Sequence, residues 1–207
     1  SPIAGKENIS IAHDKDQAMV TAEHYLEHVT AETRVATIIQ TSPVVGMAVD
    51  VKKIAGAIRS KSPDCFIIVD SIQHAAHGVM DIGAIGVDGC AVSGYKVFSR
   101  HNYGVAWVSP RLSTLRHEKL DGTADNFWEL GTRDTGAFAT FSEVVNYLEW
   151  LGSQLTGSTD QRTRLETAGR AMAEQEQHLV DVAINGAEGR TGIRDLPGAF
   201  ILGGADS

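Results

Sequence analysis

Four side chains capable of chemistry stand just past two apolar segments of the sequence. Asp70 and Gln73 follow one run of β-branched and other apolar residues, and Ser93 and Lys96 follow another. Ligands of open α/β sheets bind at the carboxyl ends of the strands, so these side chains are expected to share one site. A lysine amine that is partly removed from water becomes nucleophilic and forms Schiff bases with aldehydes. Lys96 is therefore the candidate nucleophile.

The same residue types are those that a pyridoxal phosphate site requires. A pyridinium nitrogen needs a carboxylate partner at a neighbouring strand end, and Asp70 can provide this carboxylate. Gln73 can hydrogen-bond a phenolate oxygen, while Ser93 and Tyr95 can donate to a phosphate. These residues together predict pyridoxal 5'-phosphate as the cofactor, with Lys96 as the residue that holds it.

The elements that must position these residues alternate between strands and helices. Runs of β-branched residues predict strands, and apolar residues at helical spacing predict helices. The predicted strands cover residues 34–41, 65–70, 89–93 and 103–109, and the main predicted helices cover 18–29, 51–59, 138–151 and 159–182. This order predicts an α/β fold, a three-layer α/β/α sandwich with a mainly parallel sheet.

The two ends of the sequence indicate that it is part of something longer. The last long helix is expected to begin at a Ser158 or Thr159 cap and to stop at Gly186. The run 199–203 then looks like the first strand of a new unit, and a strand needs a neighbour with which to pair. Because the start of the chain is not a natural initiation either, the fold is expected to be truncated at both ends.

Composition excludes several classes of protein. The chain has 207 residues, of which 43% are hydrophobic and 21% charged, which is too apolar for a disordered protein. No apolar run approaches the ~18 residues of a membrane span. The net charge of -8 and the scattered basic residues disfavour nucleic-acid binding. Cys65 and Cys90 are expected to be small buried hydrophobes, so a reducing cytoplasm is the expected location and no membrane partner is predicted.

The residues around the candidate nucleophile carry a family resemblance. The stretch 67–74, Ile-Ile-Val-Asp-Ser-Ile-Gln-His, followed by Ser-Gly-Tyr-Lys at 93–96, resembles the class V aminotransferase family of fold-type I pyridoxal phosphate enzymes. That family includes the cysteine desulfurases and the selenocysteine lyases. Residues 40–46 look like the family's segment that borders the cofactor ring, and residues 129–132 look like its Gly-Thr motif. The likeness extends from Arg34 to about Leu151.

The resemblance implies a role for each matching residue near the ring of the cofactor. Lys96 would hold the cofactor as an internal aldimine, which is a Schiff base, and would move protons at the substrate's α carbon. Asp70 would pair with the pyridinium nitrogen. Ile72 would pack on one face of the ring, and Gln73 would bond its phenolic oxygen.

The resemblance also implies how the phosphate is held. Ser93 and Tyr95 would bind it within the chain, and Thr132 would reach the phosphate of a neighbouring subunit in a homodimer. Two positions depart from the family pattern. Tyr95 stands where many relatives have His, so it cannot act as an imidazole base. Pro43 stands where desulfurases commonly have Asn, which removes a polar contact near the substrate.

The resemblance implies an enzyme that acts on a small amino-acid substrate. A C–S lyase or cysteine desulfurase-like reaction is the first choice. A class V aminotransferase, an epimerase, a kynureninase-like enzyme and an inactive fragment or scaffold remain as alternatives. Residues 1–155 would form part of the large cofactor-binding domain, and residues 156–207 would form a long connecting helix and the start of a small domain. The stretch alone is expected to be inactive, and no metal is predicted, since His74 and His77 lack a third ligand.

Overall fold

The computed structural model describes residues 5–132 and 134–202 and contains a four-stranded sheet. The strands lie side by side in chain order and are β1 (Val35–Ile39), β2 (Phe66–Asp70), β3 (Gly89–Ser93) and β4 (Gly104–Val108). The first three strands are parallel, and the fourth runs antiparallel to β3. The predicted α/β class and the mainly parallel sheet are therefore confirmed.

Helices connect the strands and follow them. They are α1 (Ala22–Leu26), α2 (Val51–Lys61), α3 (Ile82–Ile85), α4 (Pro110–Ser113), α5 (Thr135–Ser153) and α6 (Gln161–Asn185). Short 3-10 turns form at Gly94–Lys96 and Ile193–Asp195, and a small hairpin pairs β5 (Gly186–Ala187) with β6 (Arg190–Thr191). Aspartate side chains accept a backbone N–H at the start of α2, α3, α5 and α6, where the first-turn N–H groups lack helical partners. No helix among these described residues is long and apolar enough to cross a membrane.

The main core lies between one face of the sheet and α2. Ile38 of β1 and Ile67 of β2 project from this face and are almost completely buried. Ile54 and Ile58 of α2 are buried to the same degree. Burying an isoleucine side chain contributes about 1.5 to 3 kcal/mol, so this cluster is a major source of the fold's stability.

Helix α4 covers part of the opposite face of the sheet. The Arg111 guanidinium lies 4.2 Å from the centre of the Phe66 ring. The Leu112 side chain approaches Gly89 so closely that a Cβ there would lie 3.3 Å from its Cδ2 atom. Helices on both faces make the fold a three-layer α/β/α sandwich, as the sequence predicts.

The starts of the first and last helices differ from the sequence-based expectation. The first helix begins only at Ala22, because Ala18 has a φ of 53°, outside the right-handed helical region. The long last helix is capped by Asp160 rather than by Ser158 or Thr159, since the Asp160 carboxylate accepts from the Thr163 N–H. It ends at Gly186, as predicted.

The strand predicted at 199–203 is wrong for the residues that the structure describes. Residues 199–202 form no ladder with any described part of the chain, and residue 203 lies outside the described residues. An extended segment becomes a strand only when a neighbour satisfies its backbone N–H and C=O groups.

The α5–α6 contact gives a stability prediction. Gly152 of α5 is buried so closely against α6 that a Cβ would overlap the Arg164 carbonyl oxygen. The backbone cannot rotate away as a flexible side chain can, so Gly152→Ala is expected to destabilise the protein by about 1 to 3 kcal/mol. Chemical denaturation measures this, with Gly157→Ala as the control because a Cβ there meets nothing within 4 Å. Equal unfolding midpoints for the two variants would contradict the close packing.

Candidate cofactor site

Asp70 and Ser93 are the last residues of two adjacent parallel strands. The register pairs Asp70 with Ala91, and Ser93 lies two residues further along β3. Because side chains alternate between the faces of a sheet, Asp70, Ala91 and Ser93 share one face at its carboxyl-terminal edge. The structure thus brings together the two strand ends that the sequence pattern singled out.

Lys96 lies in the tight turn that follows Ser93. Gly94 starts this turn, and its N–H donates to the Tyr103 carbonyl oxygen over 3.1 Å. A side chain at Gly94 would overlap the Tyr103 ring, so only glycine allows this close approach. The turn therefore begins where β3 ends and keeps Lys96 near the strand end.

The aromatic side chain beside Lys96 makes two ring contacts. The Lys96 Nζ atom lies 5.3 Å from the centre of the Tyr95 ring, and the His101 ring stacks on Tyr95 with 4.6 Å between centres. Lys96 is partly buried, whereas Tyr95 is exposed. This arrangement places an imidazole next to Tyr95, although the sequence has no histidine at position 95 itself.

Asp70 presents its carboxylate to solvent at the edge of the sheet. Its Oδ1 atom accepts the Ile72 N–H over 3.0 Å, which holds the start of the following turn. Ile72 and Gln73 are partly buried in that turn, which the Ser71 carbonyl oxygen closes by accepting the His74 and Ala75 N–H groups. Within residues 5–132 and 134–202, no cation forms a salt bridge with Asp70, so its charge is available to a ligand.

Thr132 lies in the irregular segment before α5 and is exposed. Two residues later, the Asp134 carboxylate caps α5 through the Ala137 N–H and forms an ion pair with Arg100. The hydrogen bond from Arg100, helped by the N-cap bond, holds the pKa of the Asp134 carboxyl below its usual value. The loop that follows Lys96 is thereby linked to the loop that carries Thr132, a connection that the sequence analysis did not find.

A separate open groove of about 340 Å³ lies on the α5 side of this loop. Its lining includes Phe98 and Arg100 from the loop and Val144 and Tyr147 from α5. None of the candidate site residues lines it. The groove is therefore distinct from the strand-end site.

The turn after Asp70 also contains two histidines with partners far away in the sequence. The His74 Nδ1 atom lies 3.1 Å from the Thr41 hydroxyl, and burial lowers the pKa of His74. His77 forms a pair with Glu176 of α6 over 2.9 Å. No group of three His, Cys, Asp or Glu side chains is arranged to hold a metal ion in the part of the chain that the structure describes.

The chemical groups at the strand ends fit pyridoxal phosphate. A solvent-facing carboxylate matches a pyridinium nitrogen, and an amine matches an aldehyde. Hydroxyl groups from Ser93 and Tyr95 are suitable donors to phosphate oxygens. The site thus offers a matching partner for each reactive part of the cofactor.

Comparison with known families agrees with this architecture. The sequence model of the family described as "Aminotransferase class-V" matches residues 4–179, most of the chain. The protein belongs to the class V aminotransferase family.

Individual relatives cover shorter stretches. A probable cysteine desulfurase of Mycoplasma genitalium is 31% identical over 99 residues, which are 47% of this chain and 24% of the relative. A probable cysteine desulfurase of Pseudomonas aeruginosa is 32% identical over 97 residues, which are 46% of this chain and 24% of the relative. The matched region is thus about a quarter of the length of these relatives.

The fold is also found in solved structures. The cysteine desulfurase CsdA from Escherichia coli superposes with a TM-score of 0.62 and 18% sequence identity, over 87% of this chain and 45% of that chain. A structure described as a NifS-like protein has a TM-score of 0.52 and 19% identity, over 66% of this chain and 40% of that chain. This likeness shows the fold.

Proposed function

We propose that the protein is a pyridoxal-phosphate-dependent enzyme that acts on an amino acid, with a cysteine desulfurase-like or other C–S lyase reaction. One observation carries the proposal: Asp70 and Ser93 leave adjacent parallel strands on the same face, and Lys96 lies in the next turn. The choice of a sulfur amino acid rests on several relatives that are each named as a probable cysteine desulfurase.

The proposed chemistry divides between the cofactor and the chain. Pyridoxal phosphate, when bound, supplies an aldehyde and a ring that withdraws electrons from the substrate's α carbon. Lys96 would hold the aldehyde covalently and move a proton to and from the α carbon. Asp70 would keep a proton on the ring nitrogen, because its negative charge favours the protonated ring.

The other residues of the site would bind and orient the ring. Gln73 would donate to the phenolic oxygen, and Ile72 would pack against one ring face. Ser93 and Tyr95 would donate hydrogen bonds to the phosphate. Groups fixed in this way raise the rate because the substrate meets them already oriented.

The assembly of the enzyme forms a further part of the proposal. Thr132 would reach the phosphate of the second subunit's cofactor in a two-fold homodimer, which explains why an exposed hydroxyl before α5 matches the family's Gly-Thr motif. Residues 1–155 would belong to the large cofactor domain, and residues 156–207 would lead into the small domain. The 207-residue chain by itself would not sustain turnover, and the enzyme would work in the cytoplasm.

Chemical trapping tests the cofactor proposal directly. The protein is incubated with pyridoxal phosphate, reduced with borohydride and analysed by peptide mapping. The main pyridoxyl adduct is expected on Lys96, because Lys96 lies in the turn after Ser93, and the neighbouring parallel strand ends at Asp70.

Two lysine variants make this experiment specific. Lys96→Ala is expected to lose the main adduct. Lys52→Ala is the matched control, since Lys52 is an exposed lysine of α2 that reacts only as a surface amine. A main adduct on another lysine, or equal labelling of the two variants, would refute the proposal.

A further inference from the structure

Three buried polar side chains are hydrogen-bonded in a row on the face of the sheet opposite to the Asp70 side chain. The Cys90 thiol donates to the Ser71 hydroxyl over 3.2 Å, and the Ser71 hydroxyl donates to the Gln40 Oε1 atom over 2.6 Å. Ser71 is 0% exposed, Cys90 5% and Gln40 9%. Gln40 and Ser71 directly follow β1 and β2, and Cys90 lies within β3, so these hydrogen bonds join the three parallel strands.

Polar side chains are costly at such a position. The neighbouring inward-facing residues Ile38 and Val69 are buried and apolar, and an apolar residue would be the ordinary choice beside them. A buried hydroxyl or amide is tolerated only when its hydrogen bonds are made, and each bond then restricts its partners. Burial raises the pKa of the Cys90 thiol, so this group stays protonated and acts as a donor.

The backbone connects this chain of side chains to Asp70. The Gln40 N–H donates to the Asp70 carbonyl oxygen over 2.9 Å, and the Ser71 N–H donates to the Ala91 carbonyl oxygen over 3.0 Å. The peptide that follows Asp70 is therefore held on both sides at the last rung of the sheet. Because side chains alternate along a strand, Ser71 points to the core face while Asp70 points to the opposite face.

We propose that Ser71 is a positioning residue, which locks the strand ends so that the Asp70 carboxylate keeps one direction towards the ring nitrogen of the cofactor. This inference rests on the proposed function. The Ser71 hydroxyl is the central member, since it accepts from Cys90 and donates to Gln40. Without it, both neighbours lose their buried partner, and the strand end can adopt more than one arrangement.

The test compares two buried serines in the intact protein. Ser71→Ala removes the central hydroxyl, and Ser62→Ala is the matched control. Ser62 is 1% exposed and donates to the Thr33 carbonyl oxygen over 2.7 Å, at the opposite end of the sheet. Ser71→Ala loses two buried hydrogen bonds and Ser62→Ala loses one, so both variants are expected to unfold at a lower denaturant concentration than the wild-type protein.

Of these two serine variants, only Ser71→Ala is expected to change cofactor binding. Titration with pyridoxal phosphate, followed by absorbance, should give a dissociation constant about tenfold higher for Ser71→Ala. A misdirected Asp70 carboxylate is expected to weaken binding by about as much as the loss of one hydrogen bond. The pH at which the bound cofactor changes its absorbance should also shift, because that pH depends on the carboxylate near the ring. Ser62→Ala should keep the wild-type dissociation constant and pH profile.

Cys90→Ala offers a milder second variant should Ser71→Ala fold poorly. It leaves the bond from Ser71 to Gln40 in place, so a smaller shift in the same direction is expected. Wild-type affinity and pH profile in both Ser71→Ala and Cys90→Ala, with a loss of stability alone, would overturn the role of Ser71. Failure of the wild-type protein to bind pyridoxal phosphate would overturn the proposed function together with this inference.

Discussion

On the proposed function, changing Asp70 to asparagine in the cofactor-loaded protein is expected to lower the turnover number with cysteine by about 100- to 1,000-fold, the cost of removing one preorganised charge from a reaction centre. Asparagine has nearly the same shape and can still accept the Ile72 N–H, which Asp70 binds over 3.0 Å. It carries no negative charge for the ring nitrogen. In the proposed function that charge would matter most in the transition state, so turnover should fall more than cofactor affinity.

Steady-state kinetics and absorbance titration with pyridoxal phosphate separate these two effects. Asp64→Asn is the control, because Asp64 is an exposed aspartate just before the other end of β2. This control should keep wild-type turnover and affinity. Unchanged turnover in Asp70→Asn would rule out a role for the carboxylate at the ring, and an equal loss of affinity and turnover would indicate a binding role only.

Substitution of Asp88 is expected to have the largest effect on stability. Asp88 is a buried carboxylate at the opposite end of the sheet. Its oxygens accept hydrogen bonds from Arg59 and Arg111, each at 2.8 Å, from the Ile67 N–H at 2.9 Å and from the Ser109 hydroxyl at 3.3 Å. The side chain is only 5% exposed. Removing one partner of a buried charge network leaves the other groups uncompensated, which costs about 3 to 5 kcal/mol.

Asp88→Ala is therefore expected to lower the free energy of unfolding by about 3 to 5 kcal/mol, measured by chemical denaturation at neutral pH. Asp125→Ala is the matched control, because Asp125 is paired with Lys119 but its side chain is fully exposed. An exposed ion pair is screened by water, so no measurable change is expected there. A similar midpoint for both variants would show that the Asp88 network does not stabilise the fold.

The same carboxylate predicts a pH dependence. Burial raises the pKa of Asp88, but the hydrogen bonds from Arg111, the Ile67 N–H and Arg59 outweigh that effect and hold it below its ordinary value of 3.8. A folded-state pKa below the unfolded one stabilises the protein above the unfolded value, and this stability is lost as the pH falls through the folded value. In Asp88→Asn, the free energy of unfolding should depend less on pH in the acidic range. An unchanged pH dependence in this variant would contradict the contribution of Asp88 to the loss of stability at acidic pH.

Much of the sheet could be predicted because its signals are local. The strand at 89–93 was predicted with the bounds that the structure has, and the strand at 65–70 differs by one residue. A run of β-branched residues favours an extended backbone wherever it occurs, and a final aspartate or serine marks the place where the run leaves the core. The helix boundary at Ala22 was missed because it depends on the left-handed backbone of Ala18, which no pattern of side chains indicates.

The sequence by itself determined the candidate residues of the site, because Asp70 with Gln73 and Ser93 with Lys96 each lie within four residues of one another. The tertiary structure alone decided which distant groups support them. Ser71 and Gln40 are separated by 31 positions and Asp88 and Arg59 by 29, so only the register between strands and helices makes them neighbours. Register is set by the summed packing of the whole core, and no short segment of sequence contains that information.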